Sequence, residues 1–145
     1  MLSLNFSLDE FTASQTATRN GIKNTPSETV VENLRMLAAL LEQVRELLGG
    51  GAIRISSGYR SLALNHHIGS NDTSAHIRGW AADFTCPSFG TPLAVAKKIA
   101  ESNLKFDQLI FEGTWVHISC DPQNRRQLLT ARFEHGHTYY TTGIT

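Results

Sequence analysis

Phe106-Asp107-Gln108-Leu109-Ile110-Phe111-Glu112-Gly113-Thr114-Trp115-Val116-His117-Ile118-Ser119-Cys120 is the stretch that decides the fold. Two apolar runs, Phe106 to Phe111 and Trp115 to Cys120, flank Gly113-Thr114, so the stretch predicts two antiparallel strands and a tight turn. A two-residue loop with glycine first suits a type II′ turn. In that register Glu112 pairs with Trp115, and Ile110 with His117. Side chains alternate across a sheet, so Glu112 and His117 share a face as diagonal neighbours, roughly 7 Å apart at their Cβ atoms.

Further elements follow on both sides. Ile53-Arg54-Ile55-Ser56 alternates apolar and polar and reads as a strand, as does Trp80 to Thr85. Ser27 caps a long helix whose apolar residues Val30, Val31, Leu34, Leu37, Ala38, Leu41, Val44 and Leu48 recur at helical spacing until Gly49-Gly50-Gly51. Residues 60–67 form a short helix and 69–73 a loop. Pro92 opens another helix over 93–102. Residues 128–133 and 137–141 add a final, weaker strand pair, while His135 and His137 fall in a mobile C-terminal segment. Helices and strands do not alternate as βαβ units, so the fold class is α+β, with a small, largely antiparallel sheet flanked by helices.

The chain of 145 residues suits one domain over 1–145. Residues 1–26 form an N-terminal arm that packs Phe6 and Phe11 on the body. Within it Ser7 and Glu10 have capping-box spacing. Thirteen basic and thirteen acidic residues give zero formal net charge, with no basic stripe, which argues against nucleic acid as partner. No segment has the length of a membrane span, and the N-terminus lacks the pattern of a Sec signal. The protein is expected to be made in the cytoplasm and to be a monomer. Cys86 and Cys120 each end an apolar run. A disulfide or an extra metal ligand are the alternatives, and two buried thiols acting as small hydrophobes the favoured reading.

His76, Asp83 and His117 carry the chemistry. Asp83 sits in the apolar run Ala81-Ala82-Asp83-Phe84, where an unpaired carboxylate is costly to bury. A metal ion removes that cost, and so would an Arg or a helix N-terminus. His117 lies mid-strand between apolar neighbours and needs a partner too. Two imidazoles and one carboxylate suit zinc and leave its fourth position open to water, which zinc brings close to ionisation at neutral pH. That points to hydrolysis. Glu112, on the face of His117, is the candidate general base. The competing assignment is an exposed glutamate beside a turn. Arg60, at a strand exit, can take a substrate carboxylate in a bidentate grip. Ser74 either caps its loop or touches substrate.

These residues fall in an ordered set of motifs: Ser57-Gly58-Tyr59-Arg60-Ser61, Asn65 with Gly69-Ser70, Ser-x-His-x-x-Gly-x-Ala-x-Asp at 74–83, Phe106-Asp107-Gln108-Leu109-Ile110 and Trp115-Val116-His117-Ile118-Ser119. Phe6-Ser7-Leu8-Asp9-Glu10-Phe11 and Asn24-Thr25-Pro26 precede them. From about Phe6 to Ser119 the chain resembles the zinc D-alanyl-D-alanine carboxypeptidase family, which includes phage murein endopeptidases and has the hedgehog-like zinc peptidase fold. The resemblance implies Zn2+ held by His76, Asp83 and His117, and a peptidoglycan stem peptide as substrate. It also implies that Arg60 binds a substrate carboxylate or the carbonyl oxygen in the transition state, and that Tyr59 and Ser74 are substrate contacts. A phage or prophage origin then places the action at the cell wall, after release by lysis machinery or as part of a virion. One departure stands out. Many members place a catalytic Asp or Glu three residues before the last histidine, where this chain has Thr114. Either Glu112 supplies the carboxylate, or the protein is a zinc-binding recognition or virion module that cuts poorly.

Overall fold

Ser27 Oγ accepts a hydrogen bond from the Val30 N–H, and from that cap α3 (Glu28–Leu47) runs for 20 residues, about 30 Å. Its Leu34, Leu37, Ala38, Leu41 and Val44 form one fully buried stripe. Gly49 and Gly50, with φ of 92° and 87°, end it in the left-handed region. The computed structural model describes residues 1–145. Before α3 come α1 (Leu8–Thr12) and α2 (Gln15–Arg19). After it come β1 (Arg54–Ser57), α4 (Leu62–His67), a 3₁₀ turn (Ala75–Arg78), β2 (Ala81–Thr85) and α5 (Pro92–Ala100). The chain ends with β3 (Gln108–Phe111), β4 (Val116–Ser119), β5 (Gln127–Glu134) and β6 (His137–Thr142).

The fold is mixed α+β, a six-stranded sheet flanked by helices in the order β1-β2-β4-β3-β5-β6. Four of its pairings are antiparallel, and β3 with β5 is parallel. Alternation along the central strands divides the sheet into two chemistries. Ala82 and Phe84 of β2, Val116 and Ile118 of β4, and Leu109 of β3 enter the core beneath α3 and α5. Asp83, His117 and Ile110 therefore face the other way, across the sheet from the helices. The core itself is one cluster of 20 buried residues that includes Phe6 and Phe11 of the arm.

The arm does more than cover the core. Ser7 and Glu10 form the full capping box of α1. The Tyr59 N–H donates to the Phe11 carbonyl at 2.7 Å. Asn24 Nδ2 donates to the carbonyls of Thr12 and Tyr59, and its Oδ1 accepts from the Ser61 N–H. One side chain thus ties the arm to the segment that carries Arg60. Gly58 is required here, because a Cβ on it would lie 2.5 Å from the Phe11 carbonyl oxygen.

The hairpin has the register read from the sequence, with Ile110 opposite His117 and Phe111 opposite Val116. The turn is tighter than type II′. The Thr114 N–H donates to the Glu112 carbonyl across Gly113, whose φ is 85°, so an i→i+2 bond closes it. The strand pair expected at 128–133 and 137–141 is present as β5 and β6. His135 sits in their turn and His137 begins β6, so both belong to a hairpin paired along the sheet rather than to a mobile segment. Both cysteines are free thiols. Cys86 is buried in the core, and burial pushes the half-buried Cys120 thiol up to about 12, so neither invites reaction. No helix is long and apolar enough to cross a membrane.

Candidate metal centre

β2 and β4 are hydrogen-bonded neighbours, and Asp83 stands directly opposite His117. Their side chains meet on the face away from the helices, with His117 Nδ1 2.9 Å from Asp83 Oδ1. His76 arrives from the 3₁₀ turn, and its Nε2 lies 3.4 Å from the same oxygen. The two imidazoles are 5.2 Å apart at their centroids, inclined at 67°. One ligand atom from each residue lies within 4.8 Å of the others, so the three could hold a metal ion. They are the residues singled out from the sequence.

The hydrogen bonds test whether a cation fits. His76 Nδ1 is 2.6 Å from the Gly58 carbonyl oxygen, which can only accept, so the proton is on Nδ1. Neutral His76 then turns the lone pair of Nε2 toward the Asp83 carboxylate. Two acceptors at that distance repel unless a cation lies between them. A proton is disfavoured, because burial pushes the His76 pKa down and outweighs the pull of Asp83. Burial also raises Asp83, but the neighbouring His117, first of all through its hydrogen bond, overcomes it and holds the carboxyl far below its ordinary value. A carboxylate and oriented imidazoles, one fixed by a backbone carbonyl, are what a divalent metal requires.

The centre lies in a cleft of about 680 Å³. Glu112 borders it beyond His117. Its Oε2 accepts from Trp115 Nε1 at 2.8 Å, and its Oε1 from the Tyr140 hydroxyl at 3.5 Å. Burial, and then the charge of Asp83, push the Glu112 pKa up. Arg60 also lines the cleft. Its Nη2 donates to Ser74 Oγ at 3.3 Å, while its Nε is buried with no acceptor. Ser74 caps the 3₁₀ turn by accepting from the His76 N–H, and so helps to aim the ligand. Tyr59 lies apart from these groups, in a second groove of about 820 Å³ between α2, β1 and α4 that meets the cleft at Arg60. His66 pairs with Asp72 on the surface, away from the centre.

Three partners escaped the sequence reading. The Gly58 carbonyl is a backbone acceptor and has no sequence signature. The Trp115–Glu112 bond was within reach, since the hairpin register already made them partners. Tyr140 comes from β6, which reaches the cleft only because its partner β5 pairs in parallel with β3, a join no local pattern announces.

Three convergent donors on an open sheet face, with a carboxylate of raised pKa alongside, suit a metal-dependent hydrolase. The model of the Peptidase M15 family matches residues 4–119, and the chain belongs to that family, whose members are zinc-dependent. No curated protein matches the chain.

Proposed function

We propose that the protein is a zinc peptidase that hydrolyses amide bonds in peptidoglycan stem peptides, as a D-Ala-D-Ala carboxypeptidase or a murein endopeptidase of phage or prophage origin. The observation that carries this reading is the lone pair of His76 facing Asp83, with His117 and Glu112 on the same sheet face. His76, Asp83 and His117 would hold the metal. Zinc, when bound, supplies a Lewis acid that polarises a carbonyl and acidifies water. Glu112 takes the proton from the attacking water and passes it to the departing amine as the carbon–oxygen bond forms and the carbon–nitrogen bond breaks. Its raised pKa suits both transfers. Trp115 holds Oε2, and the Tyr140 hydroxyl reaches Oε1 at the cleft wall. Arg60, with its free Nε, takes a substrate carboxylate or the developing oxyanion. Release by lysis machinery or carriage on a virion brings the protein to the wall.

Zinc-loaded protein incubated with purified sacculi, with released fragments read by mass, tests the proposal. Peptide products that vanish in Glu112→Gln at unchanged zinc content support it. Thr114, standing where many relatives carry the catalytic acid, favours a second reading as a zinc-binding recognition or virion module. Wild-type protein that retains zinc and binds sacculi yet releases nothing would establish that one instead.

A further inference from the structure

The β5–β6 hairpin begins after residue 119, where the family match ends. Its register pairs Leu129 with Thr142, Ala131 with Tyr140 and Phe133 with Thr138. Paired residues project to the same side, so these six share one face. Leu129 pairs with Ile110 of β3, and both line the metal cleft, so the hairpin face continues the cleft wall. At the junction the Tyr140 hydroxyl reaches Glu112 at 3.5 Å. The Phe133 ring lies 3.7 Å from where a Cβ on Gly113 would sit. Both rings are open to solvent, Phe133 by 64% and Tyr140 by 51%. As diagonal neighbours they are spaced about 7–8 Å apart.

We propose that Phe133 and Tyr140 form a saccharide-binding shelf that takes a neutral N-acetylated sugar joined to the peptide in the cleft. This rests on the stem-peptide reading. The charge pattern selects the occupant. Arg60, Asp83 and Glu112 all lie in the cleft proper, whereas the hairpin face carries no charged residue. Its rings are flanked by the hydroxyls of Thr138, Thr142 and Tyr140 itself. A pyranose offers C–H groups to the negative face of an aromatic ring and hydroxyl or acetamido groups to neighbouring hydroxyls. An apolar peptide side chain would use the rings and leave the hydroxyls idle. A muropeptide has the same division as this surface, with neutral sugars at one end and charged peptide at the other.

The test uses the zinc-loaded full chain and an N-acetylglucosamine tetramer, which contains no amide bond between residues for a peptidase to cut. The tetramer should bind in the millimolar range. Phe133→Ala and Tyr140→Ala should each weaken binding by about fivefold, while Tyr140→Phe, which keeps the ring, holds most of it. Absence of binding, or equal binding by wild type and both alanine variants, overturns the shelf. So does sedimentation showing a wild-type dimer that Phe133→Ala dissociates, since a second copy would then be the occupant. A second measurement compares cutting of a disaccharide-bearing muropeptide with the same peptide stripped of sugar. The wild-type preference, about fivefold in kcat/KM, should fall to about one in Phe133→Ala. Ring-dependent sugar binding in a chain that cuts neither peptide would uphold the shelf and sink the peptidase reading alone.

Discussion

Zinc should raise the unfolding temperature of this protein by an amount that the chain length sets. At free zinc about a hundredfold above Kd, a ligand bound only by the folded state adds about 2.7 kcal/mol. Unfolding entropy near 2.1 cal/mol/K per residue gives about 0.3 kcal/mol/K for 145 residues, so the midpoint should rise by about 9 K. His76→Ala removes the Nε2 donor and also leaves the buried Gly58 carbonyl without its partner. An unsatisfied buried group costs about 1–3 kcal/mol, so the metal-free variant should melt about 3–10 K below the metal-free wild type. With two donors left, Kd exceeds the zinc concentration, and zinc then adds less than about 0.4 kcal/mol, or about 1 K. Scanning calorimetry with chelator and with zinc, on both proteins, reads all four midpoints. A wild-type midpoint indifferent to zinc, or a His76→Ala variant that recovers the whole 9 K rise, would refute the assignment of the centre.

Other perturbations have equally definite outcomes. Glu112→Gln keeps the hydrogen bond from Trp115 but cannot move protons, so peptide release should fall about 10²- to 10⁴-fold with zinc retained, measured by metal analysis beside the sacculus assay. Arg60→Lys loses the planar fork, and KM for carboxylate-bearing peptides should rise by about tenfold or more in steady-state kinetics. Asp107 accepts two side-chain bonds and one backbone bond from Arg125, which hold its carboxyl below the ordinary value. A depressed carboxylate stabilises the fold above its unfolded pKa of about 3.9 and loses that contribution as pH falls through the folded value. Asp107→Asn should therefore flatten the acid limb of stability below about pH 4 in denaturant titrations. Phe84→Ala, at a fully buried position under α3 and α5, should cost about 3–5 kcal/mol in the same titrations.

Local signals in the chain were sufficient for much of this. The α3 stripe follows from helical spacing alone, and its cap and stop are single residues, Ser27 and Gly49. The register of Ile110 against His117 follows from a short turn, which leaves few alternatives. Asp83 and His117 were legible because a polar group inside an apolar strand must have a partner. The tight closure at Gly113 was not, since two-residue loops with a leading glycine admit more than one bond pattern. Nor was the position of the β5–β6 hairpin on the sheet, because the parallel join of β5 to β3 is made through tertiary packing, with no turn to fix it. Tyr59 shares its motif with Arg60, yet successive residues leave a strand end in opposite directions, and only Arg60 turns to the cleft.

Asp83 and His117 face each other across two strands that are neighbours in space and 34 residues apart along the chain, with α5 and β3 between them. The pair forms only once β2 and β4 have joined in the sheet across the residues between them. Loop closure must precede coordination, so a nascent or partly digested chain has no high-affinity trap for zinc. Metal uptake by this protein is in effect a certificate of finished topology, and misfolded copies should remain empty even where zinc is abundant.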